Sequence, residues 1–273
     1  MAIYTHQLNP IAFYLAGTPV PWYWLNYIFG FSFVYFVSLY LTRQKISPLL
    51  SEDLHTYALV AWLGVIIFGR LGYVFIYRWP YYRENPELIY QIWLGGMSFH
   101  GALVGCAFMC ILSSFKKKQP FFLATDLFSL LIPIPLALGR ITNFVNAELI
   151  GRPTGGSWGV IFPYDSSQVP RHPSQLYQAS LEGILLFIIL WQLKAHLKTP
   201  GLMTGYFLLG YGTLRIISEC FRMPDKSLGY LFGVFSMGQL LCFLMIFFAI
   251  IILWCLKISQ GYEISQTKKS PSE

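Results

Sequence analysis

The chain has 273 residues, of which 55% are hydrophobic, 18% aromatic and only 11% charged, with a formal net charge of +7. A soluble domain carries about 25% charged residues, so this composition excludes a soluble globular protein and makes lipid the solvent for much of the surface. In such a chain a basic excess reports topology and lipid headgroups, and nucleic acid is not an expected partner.

Apolar stretches near 20 residues long predict seven transmembrane helices, at 22–41, 56–77, 98–115, 121–139, 175–193, 201–219 and 235–256. The period-2 alternation of a membrane barrel is absent, so the spans are helical. Pro133 and Pro135 interrupt the fourth and predict a kink or a break there. No internal repeat suggests an inverted-repeat transporter. The longest polar connection runs from about 140 to 174, so no separate soluble domain is expected. The fold class is therefore all-α and polytopic, with residues 1–273 as a single integral membrane domain. The N-terminus lacks a basic region and a small-residue cleavage site, and no cleavable signal peptide is expected. Cys106, Cys110, Cys220, Cys242 and Cys255 lie in or at the ends of apolar segments. They read as small core residues, not as metal ligands or a disulfide framework.

Charge placement sets the direction. Arg43 and Lys45 follow the first span, Lys116, Lys117 and Lys118 the third, Lys194 and Lys198 the fifth, and Lys257, Lys268 and Lys269 the seventh. The positive-inside rule puts all of them in the cytoplasm, with the N-terminus outside and the C-terminus inside. Only Lys226 among the lysines then falls outside, whereas Arg70, Arg78, Arg83, Arg140, Arg152, Arg171, Arg215 and Arg222 are intramembrane or outer. Topology needs only positive charge; the planar guanidinium fork suits phosphate or carboxylate. Snorkelling to headgroups accounts for Arg78 and Arg83 but fits poorly with Arg70 and Arg215, which lie inside their spans.

Four stretches carry polar residues at that outer side. In the first, Gly95 to Gly101, His100 enters the third span among small residues and is the natural general base at neutral pH, or else a structural histidine. The second, Gly139 to Thr154, sets Arg140, Asn143, Asn146, Glu148 and Arg152 directly after a span. A self-satisfied re-entrant turn would not need its two arginines. In the third, Arg171 to Tyr177, Ser174 is a candidate helix cap, and Gln175, Gln178 and Glu182 share one helix face, read by default as packing. The fourth is the sixth span, where Tyr211, Arg215, Glu219 and Arg222 form one polar stripe. Glu219 either makes a structural ion pair or orients Arg215 toward a phosphate. Tyr23 lies at the same depth, as an interfacial tyrosine or part of a site.

With these motifs in order, the sequence resembles the prolipoprotein diacylglyceryl transferase family. The similarity runs from Trp22-Tyr23 to Ser236-Met237-Gly238-Gln239 and is most specific from Gly139-Arg140 through Asn143-Phe144, Asn146 and Glu148 to Gly151-Arg152. Phe99-His100-Gly101, Arg171 to Tyr177, Arg215 through Glu219 to Arg222, and Pro224-Asp225 also match. Thr142 stands where the family signature usually has glycine, and the stretch between Arg152 and Arg171 is short. The resemblance implies a single catalytic domain at the outer face of a bacterial cytoplasmic (inner) membrane. It implies transfer of the diacylglyceryl group of phosphatidylglycerol to the lipobox cysteine of a prolipoprotein signal peptide, with release of glycerol-1-phosphate and no cofactor or metal. His100, Arg140, Arg215 and Tyr23 are then the catalytic candidates. His100 acts as base directly or through Tyr23, and Arg140 and Arg215 hold the phosphate. Asn143, Asn146, Glu148, Gly151, Arg152, Tyr211, Glu219 and Arg222 are the substrate-binding candidates. The alternative reading is a transporter or channel for an anionic solute, though the polar groups do not line a path through the membrane.

Overall fold

Each apolar stretch picked out by the sequence is helical in the computed structural model, which describes residues 3–224 and 234–269. Asp225 and Lys226 lie outside the described residues. Helix α1 spans Trp22–Arg43, and α2 spans Ser51–Gly72 and runs on through a π-helical turn, Tyr73–Tyr77. After the short α3, Trp79–Glu84, come α4 (Phe99–Lys117), α5 (Phe122–Leu131) and α6 (Pro133–Val145). Next are α7 (Ser174–Gln178), a π-helical stretch Ala179–Leu185, and α8 (Leu186–Gln192). Helices α9 (Leu202–Glu219) and α10 (Met237–Lys269) complete the order.

Five helices or continuous helical runs are long and apolar enough to cross a membrane, or six if α5 and α6 count as one broken span. The protein is thus a mostly helical, polytopic membrane protein. Helices α5 and α6 meet at 44°, where Pro133 removes a backbone donor and stops the first helix. Helix α9 matches the predicted sixth span in position but is not among the five; it carries Arg215 and Glu219 on its buried face.

The expectation of an all-α chain needs correction. Strand β1 (Ile3–Thr5) pairs in parallel with β4 (Gly159–Ile161), and β2 (Ile11–Leu15) forms a hairpin with β3 (Thr18–Pro21). Ala16 and Gly17 take φ of +48° and +80°, the left-handed conformations a two-residue hairpin turn needs. These segments are too short to announce themselves by periodicity.

The main core joins Leu41 of α1, Tyr57 of α2, Leu127, Leu130 and Leu131 of α5, and Phe207 of α9. Helices α2 and α4 pack backbone to backbone: a Cβ on Gly105 would lie 2.3 Å from the Gly64 carbonyl oxygen, so only glycine permits this crossing. Contacts at the helix ends fix which termini lie together. Lys117, ending α4, pairs with Asp53, beginning α2, at 2.6 Å. Asp126 of α5 accepts from the Gly201 and Thr204 amides at the start of α9, at 2.6 and 2.7 Å. The opposite end of the bundle gathers the starts of α1 and α7 and the ends of α6 and α9. Cys110 and Cys242 are buried as expected, but Cys220 and Cys255 are exposed on outward faces and are not core residues.

Candidate active site

The polar end of the bundle is organised around two carboxylates of the helical spans. Glu182, in the π-helical stretch after α7, receives Arg215 Nη1 at 3.3 Å and lies 3.9 Å from Arg140 Nη2; the Ser218 hydroxyl also donates to it. Glu219 receives Arg215 Nη2 at 2.7 Å, Arg222 Nη1 at 3.4 Å and the Ser236 hydroxyl at 3.1 Å. Arg215, Glu182, Glu219 and Arg222 are all buried. Unpaired charges in this position would be prohibitively costly, so the arrangement persists only as a hydrogen-bonded network. The stripe expected on α9 is thus an ion-pair network that reaches two further helical segments. Glu182, assigned by default to packing, is at its centre. π-helical turns widen a helix and concentrate at functional sites, a signal invisible in residue spacing.

Arg140 comes from the last turns of α6, beyond the proline break. Its Nη1 donates to the side-chain Oδ1 of Asn143 at 3.5 Å. The Asn143 side-chain Nδ2 donates to the Tyr23 hydroxyl and, at 3.3 Å, to Glu148 Oε2, which also receives the Tyr23 hydroxyl at 2.7 Å. Tyr23 therefore belongs with Asn143 and Glu148. Among the described residues no hydrogen bond joins it to His100. Thr142 is helical and buried, and its hydroxyl donates to Leu138 O at 2.9 Å. The turn after α6 uses left-handed backbone at Ala147 and Leu149. The side-chain Oδ1 of Asn146 is buried without a partner among the described residues.

His100 lies in the first turn of α4, whose N-terminus is capped by Ser98. Its Nε2 is buried and unpartnered among the described residues, and the charged groups acting on it are Arg215, Arg140 and Glu219. The adjacent Phe99 ring packs on Tyr211, centroids 4.6 Å apart, one turn before Arg215. His100 also lines an apolar cleft of about 300 Å³ with Phe68, Leu71, Phe75, Val104 and Leu241.

Gly151 and Arg152 link this centre to the chain after α9. Gly151 bridges to Arg222, the Arg152 amide donates to Phe221 O at 2.9 Å, and Arg152 Nε donates to Arg222 O at 3.1 Å. Arg171 forks onto Asp165 at 2.6 and 3.0 Å and reaches Gly151 O at 3.2 Å. That hydrogen-bonded fork pulls the Asp165 pKa from 3.8 down to about 2. Burial pushes the His172 imidazole, packed on Trp158, below its ordinary pKa. Arg171 is thus a brace within the connecting segment. Arg70 is another: it donates to the carbonyls of Leu88, Ile89, Gly95 and Gly96 and has no contact with the arginine pair among the described residues. Ser174 is not the helix cap expected of it, since it is the first helical residue and its hydroxyl donates to Leu149 O at 3.3 Å.

The fold and this buried network define a polytopic membrane protein with a buried arginine–glutamate network at one end of its bundle. A family model described as prolipoprotein diacylglyceryl transferase matches residues 10–255. Three relatives are named phosphatidylglycerol–prolipoprotein diacylglyceryl transferase. The one from Bordetella parapertussis is 42% identical over 85% of this chain and 89% of its own. That from Azotobacter vinelandii is 44% identical over 88% and 91%, and that from Nitrosomonas europaea 40% identical over 98% and 96%. The chain belongs to the prolipoprotein diacylglyceryl transferase family and is a transferase; an anion transporter is not favoured.

Proposed function

We propose that the chain moves the diacylglyceryl group of phosphatidylglycerol onto the lipobox cysteine of a prolipoprotein. The thiolate sulfur attacks the glycerol carbon that bears the phosphate. The carbon–oxygen bond breaks, a thioether forms, and glycerol-1-phosphate leaves with the bonding pair. Two tasks follow: removing a thiol proton whose free pKa is roughly 8.5, and stabilising charge on the departing phosphate in a site shielded from water.

The observation that carries this reading is the convergence of Arg140 and Arg215 on Glu182 beside the His100 cleft. Two guanidinium forks, Arg140 positioned by Glu182 and Arg215 by Glu182 and Glu219, are preorganised for phosphate oxygens. His100 takes the thiol proton. Tyr23, Asn143, Asn146 and Glu148 contact headgroup atoms, Gly151, Arg152 and Arg222 hold the surrounding frame, and Tyr211 packs beneath it. Acyl chains stay in the bilayer and enter through the apolar cleft.

Seven spans, with α9 as the sixth, fit the alternation of helix ends. The lysine-rich end then faces the cytoplasm, and the site faces the outer side of a bacterial inner membrane. Purified protein given phosphatidylglycerol and a lipobox peptide is expected to yield the thioether-linked peptide and glycerol-1-phosphate in equal amounts. Absence of transfer, or transfer without glycerol-1-phosphate, overturns the reading.

A further inference from the structure

Gln178 stands apart among the buried polar groups. Its side chain is wholly buried, and both its amide oxygen and its amide nitrogen lack partners among the described residues. A buried amide satisfied at neither end is rare and costly. Its position on the helix is bracketed. Three residues earlier, Gln175 donates to the Glu148 carbonyl. Four residues later, Glu182 receives Arg215 and sits beside Arg140. Residues at this spacing share a helix face, so Gln178 occupies the wall between the Glu148 turn and the arginine pair.

An amide offers two donors and an acceptor without charge. It does not compete with the arginines for phosphate, and it suits hydroxyl groups, which both donate and accept. The headgroup of phosphatidylglycerol carries two such hydroxyls beside its phosphate. We propose that Gln178 binds the headgroup glycerol and makes the site selective for a lipid bearing that diol. This rests on Arg140 and Arg215 holding the phosphate.

The test compares phosphatidylglycerol with phosphatidylpropanol, which has the same chains and charge but no headgroup hydroxyls, using the full chain and a lipobox peptide. A site built to hydrogen-bond a hydroxyl discriminates strongly, so the wild type is expected to favour phosphatidylglycerol by about 10²-fold or more in kcat/KM. Gln178→Met is expected to lose turnover of phosphatidylglycerol and keep that of phosphatidylpropanol, so that the preference collapses toward unity. Gln178→Ala is read by the same criteria. Equal use of the two lipids by the wild type, or a parallel loss on both lipids in either variant, overturns the proposal. Failure of the underlying reading looks different: Arg140→Lys and Arg215→Lys would then turn over both lipids near normally. If the reading holds, they lower both together and leave the lipid preference intact.

Discussion

Gly151→Ala turns the geometry of the connecting segment into a number. A Cβ at this position would lie 2.2 Å from the His172 carbonyl oxygen and 2.9 Å from its carbon. Even close carbon–oxygen contacts lie at about 3.3–3.6 Å, so the two backbones must part by roughly 1 Å. Neither moves alone. Gly151 bridges to Arg222, the His172 amide donates to Arg152 O at 3.0 Å, and Arg171 holds Gly151 O. The displacement therefore passes to Arg222 and its partner Glu219. A misplacement of about 1 Å in a positioned site costs on the order of 10²-fold in rate, about 2.7 kcal/mol. Overpacking costs about 1–3 kcal/mol of stability. Transfer from phosphatidylglycerol to a lipobox peptide should be measured beside thermal unfolding in the same detergent. Gly156→Ala is the control, since its Cβ would meet nothing nearer than Trp158 at 3.5 Å. If Gly151→Ala stays within about threefold of this control, far inside the expected 10², the close approach does not hold the site in register.

Arg140→Lys keeps the charge but loses the fork. It should abolish most turnover while the protein still extracts as a monodisperse species, and near-normal turnover would show that charge alone suffices. His100→Gln should cut turnover by about 10²–10⁴-fold. That defect should shrink as pH rises toward the thiol pKa of about 8.5, and pH profiles parallel to wild type would leave His100 a structural residue. Because its folded pKa is depressed to about 2 from 3.8, Asp165 contributes stability above its unfolded value that is lost as pH falls through the folded one. Asp165→Asn should therefore lower the unfolding temperature at neutral pH, and the gap from wild type should close only between about pH 4 and 2; a gap unchanged across that window refutes the Asp165–Arg171 linkage. In a cysteine-free variant, a cysteine at exposed Ser157 should react with an impermeant maleimide in spheroplasts and one at exposed Lys116 only after lysis. The reverse pattern inverts the orientation.

The helices were legible because lipid imposes a length and an apolarity that water does not, and each predicted stretch meets a helix within a few residues at most ends. Pro133 announced the break in the fourth span for an equally local reason. The strands were not legible: Ile3–Thr5 owes its conformation to a partner far along the chain. In the site, the spacing of Arg215, Glu219 and Arg222 already carried their shared face. Composition did not separate arginines that serve the centre from those that brace it. Arg70 and Arg171 resemble Arg140 in sequence, yet their forks are taken up by backbone carbonyls and Asp165. Glu182 reads as packing from sequence because a glutamate spaced after two glutamines looks like packing until the helices that approach it are known.

The pairing of β1 with β4 bears on how the protein is made. Ile3 is synthesised before α1, yet its partner Gly159 emerges only after α1 through α6. His6 likewise waits for the Phe144 carbonyl, which its Nε2 meets at 2.7 Å. Long-range pairings form slowly because the closing loop must be ordered first. A nascent chain halted before residue 159 can hold Arg140 and His100 on their helices while the segment that frames them stays open. Completion of the polar end is thereby tied to delivery of Ile3–Thr5 and of the segment before α7 to the same side of the membrane.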